Sequence, residues 1–115
     1  MSRYNLVLHV DAADNSLALA LHNYMNYAAA LENEPFKAVL VANSAAVRLL
    51  KADNEALKDA VAGAAERGLD LRACNNALND NGIRPEELFP QCTVVPAGLV
   101  EVVRLQSEGF AYVKP

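Results

Sequence analysis

The 115-residue sequence has few of the features that mark nucleic-acid-binding or membrane-spanning proteins. Its ten basic residues are scattered and outnumbered by 14 acidic ones, which argues against a phosphate-binding surface of clustered Lys and Arg. The longest apolar runs, such as residues 17–21, have five residues, far short of the ~18 needed to cross a bilayer. Met1-Ser2-Arg3 leads directly into a strand-like run without a signal-peptide core, so we expect a soluble, cytoplasmic protein.

The sequence has only two cysteines, Cys74 and Cys92, and their spacing matches neither a CxxC pair nor a metal site. In a reducing compartment we expect both to be free thiols. His9, Asp11, Asp14 and His22 lack a recognised metal-ligand spacing, and no Gly-rich phosphate-binding loop is present. We therefore expect no metal and no cofactor.

Apolar residues are abundant: 53% of the chain is hydrophobic, with a mean hydropathy of +0.07. The length predicts a single domain over residues 1–115. The apolar fraction exceeds the usual ~45–50%, and a domain this small has a large surface relative to its volume. We therefore expect a partner chain to cover part of the apolar surface, most simply in a homo-oligomer.

Strand-like and helix-like segments alternate along the chain, which is typical of an α/β protein. Five strand-like runs (residues 6–10, 36–42, 69–73, 93–95 and 110–113) are separated by helical segments (residues 17–31, 45–50, 54–67, 75–79 and 99–105), with a short turn after Pro85. The pattern predicts a three-layer α/β/α fold with a mainly parallel five-stranded sheet. Leu99, Val102, Val103 and Leu105 form an apolar side of the last helix, which we expect to pack on the sheet first and to contact another chain second.

Cys74 follows the third strand and precedes a helix, at the edge of the sheet where α/β proteins bind ligands. Backbone N–H groups at a helix start stabilise anions, so this position favours the thiolate, which is the nucleophilic form. The sequence therefore predicts Cys74 as a catalytic candidate. Polar residues that follow the second and third strands would line the same crevice as ligand-binding groups: Asn43, Ser44, Asn75 and Asn76.

Three stretches of the sequence resemble the DsrE/DsrF-like family, which includes the YchN-like proteins. They are Cys74-Asn75-Asn76-Ala77-Leu78, the Gly82-Ile83 pair, and residues 94–98 (VVPAG) followed by 105–112 (LQSEGFAY). The similarity extends over nearly the whole chain, with Asn26 at a position in the first long helix where the family often has Asn. The sequence departs from the family pattern at Asn43, where many relatives have Gly; Asn also tolerates left-handed backbone geometry and can cap the next helix.

The resemblance implies a three-layer fold with flavodoxin-like topology and assembly into trimers or hexamers. It also implies a cysteine that accepts sulfane sulfur as a persulfide and passes it to a partner's thiol, and Cys74 is the residue that carries over. Sulfur-donor and sulfur-acceptor proteins would be its partners. Whether such a protein is a carrier or a sulfurtransferase stays open. The alternative is a non-catalytic oligomeric module that binds a small ligand or a protein in the same crevice, because function resides in the site and not in the fold.

Overall fold

A computed structural model describes residues 2–115. Five parallel strands form one sheet in the order β4-β3-β2-β1-β5. The strands are β1 (Leu6–Val10), β2 (Ala38–Ala42), β3 (Leu69–Cys74), β4 (Cys92–Val95) and β5 (Ala111–Val113). All of their carboxyl ends therefore lie at the same edge of the sheet, as predicted.

Four α-helices connect the strands: α1 (Ser16–Ala30), α2 (Glu55–Glu66), α3 (Asn75–Asp80) and α4 (Gly98–Ser107). Two 3₁₀ segments, Ser44–Leu50 and Pro85–Glu87, complete the connections. Across residues 2–115, no helix combines the length and apolar character required for a membrane span.

The predicted fold class is confirmed, and the strand order explains how the helices form two layers. The chain moves from β1 to β4 in one direction, so right-handed connections place α1, α2 and α3 on one side of the sheet. The connection from β4 to β5 runs back across the sheet, and α4 therefore packs on the other side. In detail the order differs from the flavodoxin order 2-1-3-4-5, because β5 and not β2 lies beyond β1.

The two sides of the sheet bury apolar clusters of different size. The larger cluster joins alternate strand residues such as Leu6, Leu8 and Val10 to α1, α2, α3 and the 3₁₀ helix Ser44–Leu50. The smaller cluster joins Val7, Val39 and Val41 to α4. Each β-strand residue faces the side opposite to its neighbour, so both faces of the central strands are covered and these strands read as continuous apolar runs.

The prediction that one apolar side of α4 packs on the sheet is only half right. Val102 and Leu105 are buried against the sheet, whereas Leu99 and Val103 are 63% and 60% exposed, as is the neighbouring Val100 at 65%. Residues four apart lie on one side of a helix, so Leu99 and Val103 share the outward side.

Most element boundaries match the prediction, with three informative differences. β2 begins at Ala38, and Phe36, which was predicted to be part of this strand, instead makes edge contacts with Tyr24 and Tyr27 of α1. The predicted helix over residues 45–50 is a 3₁₀ helix that begins at Ser44. β3 extends by one residue to include Cys74. The predicted stop of α2 at Gly68 is confirmed, since this glycine has a φ of +99° that other residues rarely adopt.

Candidate functional site

At the carboxyl ends of the neighbouring strands β3 and β4, the chain leaves the sheet toward opposite sides. After β3 it turns into α3 on one side, and after β4 it turns into α4 on the other. Neighbouring strands whose connections leave on opposite sides create the crevice in which open α/β sheets bind ligands. Cys74 ends β3 and pairs in register with Val95, the last residue of β4, so it lies at this crevice.

Gly98, the first residue of α4, approaches Cys74 closely. A β-carbon built on Gly98 would lie 3.2 Å from the β-carbon of Cys74, 3.1 Å from that of Asn43 and 3.3 Å from Cγ1 of Val41. The absence of a side chain at residue 98 therefore lets α4 begin directly over the ends of β2 and β3. Asn43 follows Ala42, which pairs with Ala73, so Asn43 and Cys74 lie at neighbouring positions of the sheet edge.

Cys74 is only 6% exposed in the isolated chain. Its β-carbon lies close to Gly98, and the residue also belongs to the larger apolar cluster of the core. The predicted position of the thiol at the end of a strand and the start of a helix is thus found, in a more enclosed setting than the sequence suggested. Little of this residue is therefore accessible to a reagent in the isolated chain.

Asn43 takes part in a hydrogen-bonded series of side chains. Its Oδ1 lies 3.0 Å from Nε2 of His9, and Nδ1 of His9 lies 2.7 Å from the hydroxyl of Tyr112. The backbone at Asn43 is extended (φ −133°, ψ −178°), and its side chain does not cap the following 3₁₀ helix. Asn43 therefore adopts neither the left-handed geometry nor the side-chain cap that an asparagine allows at this position, and its side chain is engaged by His9.

The left-handed residue is Ser44, with a φ of +51°. Its side chain is exposed, and its carbonyl accepts a hydrogen bond from Nδ2 of Asn81, at 3.4 Å. Asn81 also accepts a 2.6 Å hydrogen bond from Nε of Arg48, so the 3₁₀ helix is fastened to the end of α3. The loop after β2 is thus held in one conformation beside the crevice.

Asn75 and Asn76 are the first two residues of α3. Asn75 is half-buried and Asn76 is exposed, and within residues 2–115 neither side chain makes a hydrogen bond that meets ordinary geometric criteria. Their position next to Cys74 follows directly from the sequence. Their role as ligand-binding groups stays a prediction, as does that of Asn43 and Ser44.

Cys92 lies away from Cys74. It pairs with Leu71, three positions before the pair of Cys74 and Val95, which corresponds to roughly 10 Å along the strands. This separation exceeds the Cα–Cα distance that a disulfide allows, and both thiols are free in the structure. Burial raises the pKa of the Cys92 thiol to about 12, so this cysteine is a poor nucleophile and packs against the core.

The residues weighed as metal ligands have other partners. Both ring nitrogens of His9 are engaged by Tyr112 and Asn43, and Asp11 forms an ion pair with Lys114 at 2.9 Å. Over the described part of the chain, residues 2–115, no three His, Cys, Asp or Glu side chains are grouped in a way that could hold a metal ion.

A charged network on the α4 side of the sheet was not predicted. Arg72 binds Asp70 at 2.8 Å and Glu101 of α4 at 2.6 Å, and Arg104 binds Glu101 at 3.0 Å. Burial alone would raise the pKa of Glu101, but the hydrogen bonds from Arg104 and Arg72 hold it below its ordinary value. Arg72 and Arg104 border an open groove of ≈ 810 Å³ near the amino ends of the strands, opposite to the edge that carries Cys74.

Sequence reasoning also missed His9, Tyr112 and Gly98 as parts of the Cys74 surroundings. One signal was available, since His9 is a polar residue within the otherwise apolar run of β1. A buried polar side chain requires hydrogen-bond partners, so a partner near the end of a neighbouring strand could have been expected. Tyr112 pairs with Val7, which faces the same side of the sheet as His9.

Comparison with known proteins identifies a family and solved structures that share the fold. A sequence model of the DsrE/DsrF-like family matches residues 5–115. The protein of unknown function MTH1491 from Methanobacterium thermoautotrophicum is 32% identical to this chain. That alignment covers 97% of this chain and 99% of MTH1491, with a TM-score of 0.88.

The conserved protein of unknown function BT1422 from Bacteroides thetaiotaomicron aligns with a TM-score of 0.74. The alignment covers 100% of this chain and 98% of BT1422, and at 14% identity it shows the same fold alone. No curated protein is similar enough in sequence to count as a match.

Proposed function

Because the chain belongs to the DsrE/DsrF-like family, we propose that it is a sulfur-relay protein that carries sulfane sulfur as a persulfide on Cys74. The observation that supports this role is the position of Cys74 at the crevice between β3 and β4, where neighbouring connections leave the sheet on opposite sides. The other cysteine does not fit the role, because Cys92 lies at the start of β4, three positions from the strand ends, and its thiol has a pKa raised to about 12.

The reaction consists of two thiol exchange steps. The Cys74 thiolate attacks the terminal sulfur of a donor persulfide; the new S–S bond forms on Cys74 while the donor's S–S bond breaks, and the donor leaves as a thiolate with the bonding electron pair. An acceptor thiolate then attacks the outer sulfur of the Cys74 persulfide, and the Cys74 thiolate leaves. The transferred sulfur keeps its oxidation state, so the exchange needs no cofactor and no external oxidant.

The proposed site has two requirements that a folded chain must meet. The sulfur must be reached by a donor, and Cys74 is only 6% exposed, so the donor has to approach through the crevice at the carboxyl ends of β3 and β4. The anionic sulfur must also be stabilised, for which the amides of Asn43, Asn75 and Asn76 are available at the ends of β2 and β3. We place the relay in the cytoplasm, where thiols are kept reduced.

We also propose that the partner chain is a second copy of this protein. The outward residues Leu99, Val100 and Val103 of α4 form a compact apolar surface that begins next to the Cys74 crevice. Exposed apolar surface of this kind favours association. The family resemblance implies trimers or hexamers.

Mass spectrometry after exposure to inorganic polysulfide tests the relay. Trypsin does not cut the Arg84–Pro85 bond efficiently, so a tryptic peptide contains both cysteines; cleavage after Glu86 or Glu87 separates them. We expect the peptide with Cys74 to gain the mass of one sulfur atom and to lose it to an added acceptor thiol. The Cys92 peptide serves as an internal control. An unchanged Cys74 peptide in the native protein would contradict the proposal.

A second candidate function is favoured by one specific observation. Since Cys74 is nearly enclosed, the crevice could instead bind a small ligand or a partner protein without sulfur chemistry. The Cys74→Ser variant separates the two functions, because it abolishes sulfur transfer but leaves simple binding in place. Full biological activity of Cys74→Ser would favour the binding module.

A further inference from the structure

A series of hydrogen-bonded side chains crosses the carboxyl edge of the sheet toward Cys74. Tyr112 of β5, His9 of β1 and Asn43 after β2 are joined by contacts of 2.7 and 3.0 Å. His9 is 7% exposed, so this is a nearly buried polar side chain within an apolar strand. Burial of an imidazole is unfavourable unless both of its nitrogens have partners, and here both do.

These contacts fix the orientation of Asn43. In a neutral imidazole, Nε2–H donates to Oδ1 of Asn43, and Nδ1 accepts the hydroxyl proton of Tyr112. The tilted contact of the two rings, with centroids 5.7 Å apart, holds the imidazole further. Because Oδ1 of Asn43 faces His9, the NH₂ group of the same amide faces away from His9.

The NH₂ group of Asn43 is the unused part of this series. Within residues 2–115, Nδ2 of Asn43 donates no hydrogen bond, and it is not a buried atom that lacks a partner. A β-carbon built on Gly98 would lie 3.1 Å from the β-carbon of Asn43 and 3.2 Å from that of Cys74, so these two residues are close neighbours. The residue that carries this free N–H donor is therefore the neighbour of Cys74 on the same side of the sheet.

We infer that His9 and Tyr112 are positioning residues that orient Asn43 so that its amide donates a hydrogen bond to the outer sulfur of the Cys74 persulfide. The inference depends on the proposed sulfur relay and adds three residues to it. The outer sulfur of a persulfide bears negative charge, and hydrogen bonds to charged acceptors are the stronger ones. No bond to sulfur is made or broken by Asn43, which only stabilises the loaded form.

The test compares the ratio of Cys74 persulfide to Cys74 thiol after equilibration with inorganic polysulfide at one pH. We expect Asn43→Ala and His9→Leu to lower this ratio about tenfold, the effect of one lost hydrogen bond to a charged acceptor. Tyr112→Phe should lower it about threefold, because it removes only the hydroxyl that holds His9. In His9→Gln, an amide N–H can still donate to Asn43, so most of the ratio should be recovered.

The chain supplies a matched control for each type of change. His22→Gln replaces the exposed histidine of α1, and Tyr27→Phe removes a hydroxyl that bonds to the carbonyl of Tyr4, far from Cys74. Neither control should alter the ratio. Thermal unfolding followed by circular dichroism shows which variants are folded. Tyr112 is 39% exposed, so its Phe variant is the one expected to keep the native fold if His9→Leu does not.

The outcomes distinguish this inference from the relay itself. If the native protein gains sulfur on Cys74 and the Asn43, His9 and Tyr112 variants gain it equally, the positioning role is wrong and the relay stands. If His9→Gln loses as much as His9→Leu, or if the controls lose sulfur too, the effect is a general disturbance and the positioning role is again wrong. If the native protein gains no sulfur on Cys74, both proposals are wrong.

Discussion

Gly98 occupies a position where any side chain would press on Cys74, since a β-carbon there would lie 3.2 Å from the β-carbon of the cysteine. The same β-carbon would meet the side chains of Asn43 and Val41 within 3.3 Å. Three neighbouring side chains at the ends of β2 and β3 would thus have to move together. The space around Cys74 is therefore limited by the start of α4, the helix that packs on the side of the sheet opposite to α1, α2 and α3.

The variant Gly98→Ala should be destabilised and should take up less sulfur on Cys74. Inserting a methyl group into packed surroundings costs about 1–3 kcal/mol, which exceeds the gain in helix propensity of ~1 kcal/mol. Gly63→Ala is the matched control, because nothing lies within 4 Å of the added carbon in α2, and it should stabilise the protein by about 0.5–1 kcal/mol. Denaturant unfolding measures both. Equal stability of the two variants would contradict the close contact.

The variant Ser44→Gly should stabilise the fold. Ser44 has a φ of +51°, a left-handed conformation that costs a non-glycine residue roughly 1–2 kcal/mol. Glycine removes this cost but loses more conformational entropy on folding, so we expect a net gain of about 0.5 kcal/mol in the free energy of unfolding. Ser44→Val should be destabilised instead, because β-branched residues tolerate this region poorly. The reverse ranking in denaturant unfolding would show that the loop after β2 is not held in this conformation.

The positions of Cys74 and of the strands were predictable from the sequence because they depend on local pattern. The run Leu6–Val10 ends at Asp11, and the alternation of strand and helix places Cys74 at a junction. The register of parallel strands then brings Asn43 beside Cys74 without further information.

The rest of the site depends on contacts between distant parts of the chain. His9 meets partners 34 and 103 residues away, and Gly98 touches Cys74 only because α4 crosses the sheet. The strand order has the same origin. No local signal in the sequence indicates that β5 adds beyond β1. The helical pattern therefore did not determine the side of the sheet on which α4 packs. It also did not determine that Leu99 and Val103 would be exposed.

Stability should fall between about pH 9 and pH 10 because of Cys92. Burial raises the pKa of this thiol from 9.0 to about 12, so the unfolded chain loses the proton before the folded one does. A group with a raised pKa in the folded state stabilises the fold below its unfolded pKa and loses that contribution as the pH rises. We expect a loss of about 1 kcal/mol over this pH unit in denaturant unfolding. Cys92→Ala should be less stable at pH 7 but lack this decline; an unchanged decline would exclude Cys92 as its cause.

Acid should weaken the network between the sheet and α4. The pKa of Glu101 lies below its ordinary value in the folded protein, so the ionised carboxylate stabilises the fold above about pH 5 and this contribution is lost as the pH falls through the folded-state pKa. Glu101→Gln should lower the free energy of unfolding by about 1 kcal/mol at neutral pH and flatten its dependence on pH below 5. The exposed Glu32→Gln is the control and should change neither. A steep acid decline that persists in Glu101→Gln would place its origin elsewhere.

The exposed side of α4 should hold the oligomer together. Leu99, Val100 and Val103 are each at least 60% exposed, and covering one such side chain is worth roughly 1.5–3 kcal/mol. Val103→Asp would place a charge in that contact. Burying the charge costs more free energy than the loss of apolar contact alone, so the variant should sediment as a monomer under conditions where the unmodified protein does not. Leu19→Asp on α1, 44% exposed on the other side of the sheet, should leave the assembly intact. A monomeric unmodified protein, or assembly lost equally in both variants, would contradict this surface.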